Sequence, residues 1–89
     1  MDHKVVIKGM QYAPSTVTIS KGDTVTWTNE DGMIHTATSP FPVKPPYAWN
    51  TGDIKKGENK SVTFTDPKWQ GKYGCIYHGR MQGEVKINP

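Results

Sequence analysis

Four side chains in this sequence are soft or borderline metal donors, and three of them lie within one seven-residue stretch. Cys75, His78 and Met81 follow one another at intervals of three, and His35 lies forty residues before the cysteine. Two imidazoles and one thiolate in a trigonal plane, with a long axial thioether bond, form the ligand set of a blue-copper electron-transfer site. The spacing therefore predicts that these four residues bind one copper ion.

Each of these residues, taken alone, is better explained without a metal. Cys75 is the only cysteine, and a lone cysteine is usually a small buried hydrophobe. The combination changes this balance, because the Cys-x2-His-x2-Met stretch is accompanied by an upstream histidine in a strand-like segment. Cu(II) suits imidazole and Cu(I) suits sulfur, so a site with both needs little rearrangement when an electron moves.

Short alternating runs of apolar and polar residues predict the elements that position these side chains. Val25 and Trp27, for example, fall on one face of their run, which is the period of a half-buried strand. We therefore predict an all-β protein, a Greek-key β-sandwich of seven to eight strands, with His35 on a strand and the other donors on one loop. The predicted strands are residues 4–8, 16–20, 24–29, 34–39, 60–65, 71–75 and 84–87.

Residues 40–59 interrupt this pattern with four prolines and two glycines. Proline removes a backbone donor and fixes φ, so neither a helix nor a central strand fits here. We predict an irregular excursion with room for one short edge strand. Trp49, within it, is expected to pack down as a lid over one end of the sandwich.

The ligand stretch and the strands around it resemble those of the cupredoxins, the type 1 blue copper proteins. The short spacing is similar to that of amicyanin, whereas plastocyanin and pseudoazurin have more residues between the histidine and the methionine. The resemblance implies one type 1 copper and single-electron transfer between redox partners, such as cytochromes or copper or quinoprotein enzymes. The segments that carry it are residues 21–29, 31–36, 71–75 and 82–87.

The resemblance also implies roles for individual residues. It implies that the backbone N–H of Thr36 donates to the Cys75 sulfur, and that His78 is the port through which electrons enter and leave. Most cupredoxins have an asparagine in place of Thr36, and its side chain ties the two ligand segments together. The family is exported, so we expect a periplasmic or otherwise exported protein whose leader is absent from this chain.

The length and charge of the chain limit the number of domains and the kinds of partner that it can have. At 89 residues the chain has room for one domain, residues 1–89, and no stretch approaches the roughly 18 apolar residues of a membrane-spanning helix. The 11 basic and 8 acidic residues give a net charge of +3, and the basic ones are scattered, which does not indicate nucleic-acid binding. A mild positive field favours an acidic redox partner. Arg80 either is simply solvated or steers such a partner, and we expect a monomer.

Other functions remain open at this point. The same ligands could store, sense or deliver copper, and a metal-free sandwich could act as a binding module. An enzyme domain, such as part of a multicopper oxidase, would need a further histidine cluster, and only His3 is left. We therefore do not predict an enzyme. Met1-Asp2-His3 could hold a second Cu(II) through the amine, two amides and the imidazole, although an accidental histidine at a frayed terminus is the simpler interpretation.

Overall fold

Two β-sheets enclose one hydrophobic core in the computed structural model, which describes residues 1–88. The strands are β1 (Asp2–Lys8), β2 (Gln11–Ala13), β3 (Thr16–Ser20), β4 (Thr24–Asn29), β5 (Thr38–Ser39), β6 (Trp49–Asn50), β7 (Asn59–Thr63), β8 (Gly71–Gly74) and β9 (Gln82–Asn88). One sheet has the order β2-β1-β4-β7, and the other has the order β3-β9-β8-β5-β6. β1 pairs with β4 and β3 with β9 in parallel, while the other pairs are antiparallel. The all-β sandwich predicted from the sequence is confirmed.

The core is built around Trp27, which is fully buried in β4. Its indole stacks on Trp49 with 5.4 Å between ring centroids and meets Tyr73 edge-on at 5.5 Å. The indole Nε1 donates to the Tyr73 hydroxyl over 3.1 Å, so the polar atom of this ring is satisfied inside the core. Because Trp27 belongs to one sheet and Tyr73 to the other, this cluster joins the two layers.

The strand predicted over residues 34–39 is shorter than expected, because one of its backbone N–H groups donates to the side chain of Cys75. His35 forms an isolated bridge with Ile54, with backbone hydrogen bonds of 3.1 and 2.7 Å, and only Thr38–Ser39 continues as a strand. Between them, the N–H of Thr36 donates to the sulfur of Cys75 over 3.4 Å. A donor committed to a side chain cannot also pair with a neighbouring strand, so the ladder is interrupted at this residue.

The proline-rich excursion folds back against the segment that carries His35. Its strand β6 pairs with β5, and the N–H of Thr51 donates to the carbonyl of Ala37 over 3.0 Å. Trp49 is 5% exposed and lies inside the aromatic cluster, so it is a core residue and not a lid on the end of the sandwich. The excursion therefore braces the histidine segment from outside.

The helical structure of the described residues is limited to one 3₁₀ turn, Pro67–Trp69. The side chain of Asp66 caps it by accepting from the N–H of Lys68 over 2.9 Å. The carbonyl of Trp69 accepts from the Trp49 indole over 3.2 Å, and the Trp69 ring meets Phe64 edge-on at 6.3 Å. Within residues 1–88 there is accordingly no helix with the length and apolarity that crossing a membrane requires.

Candidate metal centre

His35, Cys75 and His78 come together between the segment before β5 and the loop after β8. One donor atom from each lies within 4.8 Å of the others. The Cys75 sulfur is 3.9 Å from Nδ1 of His35 and 3.4 Å from Nδ1 of His78. His35 is fully buried and Cys75 is 1% exposed, whereas His78 is half-buried. The structure thus brings together three of the four side chains that the sequence singled out, although they come from segments forty residues apart.

The spacing of these donors fits a small metal ion at their centre. Metal bonds of about 2.0–2.3 Å to nitrogen and sulfur, set at about 120° in a trigonal plane, separate the donor atoms by about 3.6–3.8 Å. The observed sulfur–nitrogen distances of 3.9 and 3.4 Å lie on either side of that range. The thiol is free, with no disulfide partner. One cysteine sulfur and two imidazoles, largely removed from water, are three of the four donors that the copper interpretation requires.

Asp31 orients the buried ring of His35. Its carboxylate Oδ2 lies 2.9 Å from Nε2 of His35, and the same carboxylate accepts from the N–H groups of Gly9 and Met10 over 2.8 and 3.0 Å. Burial alone would raise the pKa of Asp31, but these hydrogen bonds outweigh burial and hold the pKa below its usual value. An ionised carboxylate can only accept, so Nε2 carries the proton. In the neutral ring, Nδ1 of His35 then keeps its lone pair, and this atom lies on the side of the Cys75 sulfur.

Two successive backbone hydrogen bonds hold the loop after β8 in a compact form. The N–H of His78 donates to the Cys75 carbonyl over 3.4 Å, and the N–H of Met81 donates to the His78 carbonyl over 3.0 Å. Met81 is 1% exposed, so its thioether is enclosed within the protein. Gly74 makes this closure possible, because a β-carbon there would lie 2.6 Å from the Phe41 ring and 2.8 Å from the Met81 carbonyl oxygen.

Thr36 connects the two ligand segments, in place of the asparagine that most cupredoxins have there. Its backbone N–H donates to the Cys75 sulfur, as the resemblance implied, and its hydroxyl accepts from the N–H of Ile76 over 3.0 Å. Sequence reasoning left this second contact in doubt and did not find Asp31. The sequence does offer a signal for each contact. Thr36 bears a hydroxyl next to His35, and Asp31 is an acidic residue four positions before the histidine.

The half-buried ring of His78 lies in a loop with an apolar surface. Ile76 and Tyr77 precede it in the loop, and they are 40% and 55% exposed. Met33 and Ile34, next to the other histidine, are 52% and 40% exposed. The Tyr77 hydroxyl donates to the Asp53 carboxylate over 2.7 Å, and this contact raises the pKa of Tyr77 and links the loop to the excursion.

The N-terminal histidine has a separate environment. His3 lies in β1, its Nε2 is 2.9 Å from Oδ2 of Asp23, and the amine of Met1 is 3.3 Å from Oδ1 of the same carboxylate. β1 pairs with β4 from Asp2 onward. A square-planar copper site that used the amides of Asp2 and His3 would therefore compete with this pairing.

Comparison with known proteins agrees with the geometry. Residues 1–88 match the family model for copper binding proteins of the plastocyanin/azurin family. Amicyanin from Paracoccus denitrificans is 32% identical over 83 residues, which is 93% of this chain and 63% of that protein. The chain therefore spans less than two thirds of the curated relative that it matches.

Solved structures of copper proteins superpose on this fold. A proline-to-glycine mutant of oxidised amicyanin superposes with a TM-score of 0.81 and 30% identity, over 97% of this chain and 81% of the other. A copper-containing nitrite reductase from Thermus scotoductus superposes with a TM-score of 0.80 and 26% identity, over 100% of this chain and 23% of the other. The sandwich, the donor set and these similarities lead to one conclusion. The chain belongs to the plastocyanin/azurin family of copper-binding proteins, and its cofactor is a single type 1 copper ion.

Proposed function

We propose that this protein carries single electrons between redox partners, with His35, Cys75, His78 and Met81 as the copper ligands. The observation that carries the proposal is the convergence of one sulfur and two imidazole nitrogens within 4.8 Å. The copper ion supplies the chemistry, by taking up and releasing one electron. The Cys75 thiolate and the imidazoles of His35 and His78 would hold the ion, and the buried Met81 thioether would bind it more weakly and tune its potential.

The surroundings of the donors suit electron transfer because they resist rearrangement. His35 is held by its backbone bonds to Ile54 and by the Asp31 carboxylate on its ring. The Cys75 sulfur accepts from the Thr36 N–H. A donor set fixed by the fold keeps the same positions in both oxidation states, which lowers the reorganisation that each transfer requires.

His78 is the candidate electron port, since its ring is half-buried whereas His35 and Cys75 are enclosed. The exposed apolar side chains around it would exclude water from a contact with a partner. The net charge of +3 and the exposed Arg80 favour an acidic partner. We propose a cytochrome or a copper or quinoprotein enzyme as that partner, an exported location, and a monomeric carrier that transforms no substrate.

Copper delivery with the same ligands is the less favoured function. Handing copper to an acceptor requires that the acceptor replace several ligands, yet His35 is fully buried, Cys75 and Met81 are each 1% exposed, and His78 alone of the four is half-buried. Slow metal loss is expected from such a site, and slow loss suits a carrier.

The test is titration of the metal-free protein with Cu(II), followed by its visible spectrum and by electron exchange with a small redox reagent. Wild-type protein should develop the intense sulfur-to-copper absorption at one equivalent and exchange electrons reversibly. The Cys75→Ser variant should stay pale. A His3→Gln variant, which removes any N-terminal copper, should behave like wild type. A colourless wild-type protein would contradict the proposal.

A further inference from the structure

A chain of hydrogen bonds leads from the cysteine loop to the proline-rich excursion. The N–H of Ile76 donates to Oγ1 of Thr36 over 3.0 Å, and this oxygen lies 3.0 Å from Oγ1 of Thr38. The Thr38 hydroxyl donates to Oδ1 of Asn50 over 2.9 Å, and the N–H of Gly52 donates to the same oxygen over 2.8 Å. Two hydroxyls and one amide thus connect the residue after Cys75 with β6.

The donor and acceptor roles along this series of hydrogen bonds can be assigned in only one way. A donor N–H from Gly52 identifies the Asn50 atom as the oxygen, which can only accept. The Thr38 hydroxyl has one hydrogen and uses it on Asn50, so the Thr36 hydroxyl must donate to Thr38. That leaves a lone pair of Thr36 Oγ1 for the N–H of Ile76. Every link therefore depends on the next one, and the acceptor at Asn50 orients the whole chain.

The hydrogen bonds of this network depend on one another because its two hydroxyl groups are buried. Thr36 and Thr38 are fully buried, while Asn50 is exposed. If Thr38 lost its hydroxyl, the hydrogen of Thr36 would be left without a partner where water cannot replace it, and such a loss is costly. Hydrogen bonds in series also polarise one another, so Thr36 is a better acceptor for Ile76 while its own hydrogen is engaged.

Thr36 is held in position because its backbone N–H and carbonyl groups also form hydrogen bonds. Its N–H donates to the Cys75 sulfur, and its carbonyl accepts from the buried Tyr12 hydroxyl. If the Thr36 hydroxyl moves, it therefore changes the length of the hydrogen bond from the Thr36 N–H to the Cys75 sulfur, or that of the hydrogen bond it accepts from the N–H of Ile76. Hydrogen bonding around the cysteine sulfur is one of the features that sets the potential of a type 1 site.

From this network we propose that Thr38 and Asn50 are positioning residues for Cys75, acting through Thr36 on the hydrogen bonding around its sulfur. The inference rests on the proposed function in that Cys75 is taken as a copper ligand. The competing explanation is that Thr38 and Asn50 are an ordinary cross-strand polar pair, since they face each other in the β5–β6 register. Such a pair would affect stability alone.

The test compares Thr38→Val, which keeps the shape and removes the hydroxyl, with Thr38→Ser, which keeps the hydroxyl. In the metal-free protein, amide hydrogen exchange at Ile76 should accelerate severalfold in the valine variant, because Oγ1 of Thr36 becomes a weaker acceptor once its own hydrogen has no partner. In the copper-loaded protein, the reduction potential should rise, because the Ile76 N–H, held less strongly by Thr36, turns toward the sulfur and withdraws electron density. The serine variant should stay near wild type in both measurements.

Asn50→Ala provides a second variant that should fold, because Asn50 is exposed. It removes the acceptor at the end of the chain and should shift both quantities in the same direction, by a smaller amount. Unchanged exchange at Ile76 and an unchanged potential in the valine and alanine variants would overturn the inference, even if stability fell. The proposed function fails separately, since a wild-type protein without a blue spectrum would contradict it whatever these variants do.

Discussion

The carboxylate of Asp31 lies 2.9 Å from Nε2 of His35 and holds the ring of this buried histidine in one orientation. The same carboxylate accepts from the N–H groups of Gly9 and Met10, which form the turn between β1 and β2. Asp31 therefore links the first sheet to the segment that carries His35. We expect the copper site to depend on this junction, because Asp31 fixes His35 through Nε2 while Nδ1 of the same ring lies near the Cys75 sulfur.

Asp31→Asn should weaken copper binding about 10- to 100-fold, the usual cost of losing an outer partner of a metal-bound histidine. An amide has only one accepting oxygen, so its NH₂ group would face one of the three donors that the carboxylate now satisfies. Competition with a copper chelator measures the change. Asp2→Asn is the matched control, because Asp2 accepts from Thr26 in the sheet and should leave affinity unchanged. Equal affinity in the two variants would contradict this role.

Gly74→Ala should destabilise the protein by about 1–3 kcal/mol, the cost of forcing an extra methyl group into a packed site. Its β-carbon would lie 2.6 Å from the Phe41 ring and 2.8 Å from the Met81 carbonyl oxygen. Displacement of the loop should also alter the visible spectrum of the copper-loaded protein. Gly79→Ala, in the same loop, has no atom within 4 Å of its added carbon. Urea unfolding should show little change for Gly79→Ala, and a similar loss in both variants would refute the steric explanation.

Tyr73→Phe should cost about 1–3 kcal/mol of stability, because the Trp27 indole N–H would be left buried without an acceptor. Removing both partners together, in Trp27→Phe with Tyr73→Phe, should cost less than the sum of the two single changes if this bond is the cause. Urea unfolding of the four metal-free proteins measures the coupling. Strict additivity would show that the hydrogen bond contributes nothing beyond packing.

Asp23 should make stability depend on pH in the acid range. Its hydrogen bond with His3 is the largest cause of a pKa lowered to about 2, with further contributions from the N–H of Ser20 and the amine of Met1. A carboxyl whose folded pKa is depressed stabilises the protein above its unfolded pKa of about 3.9, and this contribution is lost as the pH falls toward the folded value. Solvent screening reduces the effect, because the carboxylate is half-buried and still in contact with water.

The urea midpoint of wild-type protein should accordingly fall between about pH 4 and pH 2, the folded value, and Asp23→Asn should fall less over the same interval. Asp53→Asn, which removes a carboxylate that holds only Tyr77, is the control and should follow the wild-type curve. Parallel curves for wild type and Asp23→Asn would rule out this contribution.

The cluster of His35, Cys75 and His78 could be predicted because its residue types are unusual and two of its three members are close in sequence. Cys75, His78 and Met81 lie on one short loop, and the alternation around Trp27 predicted the strand that anchors the core. The supporting contacts were harder to foresee, since Asp31, Thr38 and Asn50 are common polar residues whose partners are set by the pairing of distant segments. The strand over residues 34–39 was predicted too long because the pattern cannot show that the Thr36 N–H is committed to sulfur. Trp49 was assigned to a lid because the prolines around it obscured the pairing of β6 with β5.

X-ray absorption at the copper edge of the Cu(II)-loaded protein tests the central claim most directly, because it reports the atoms bound to the metal. The account predicts one short copper–sulfur bond and two copper–nitrogen bonds, with the short sulfur bond absent from Cys75→Ser. A spectrum with only nitrogen and oxygen neighbours in the wild-type protein would contradict it.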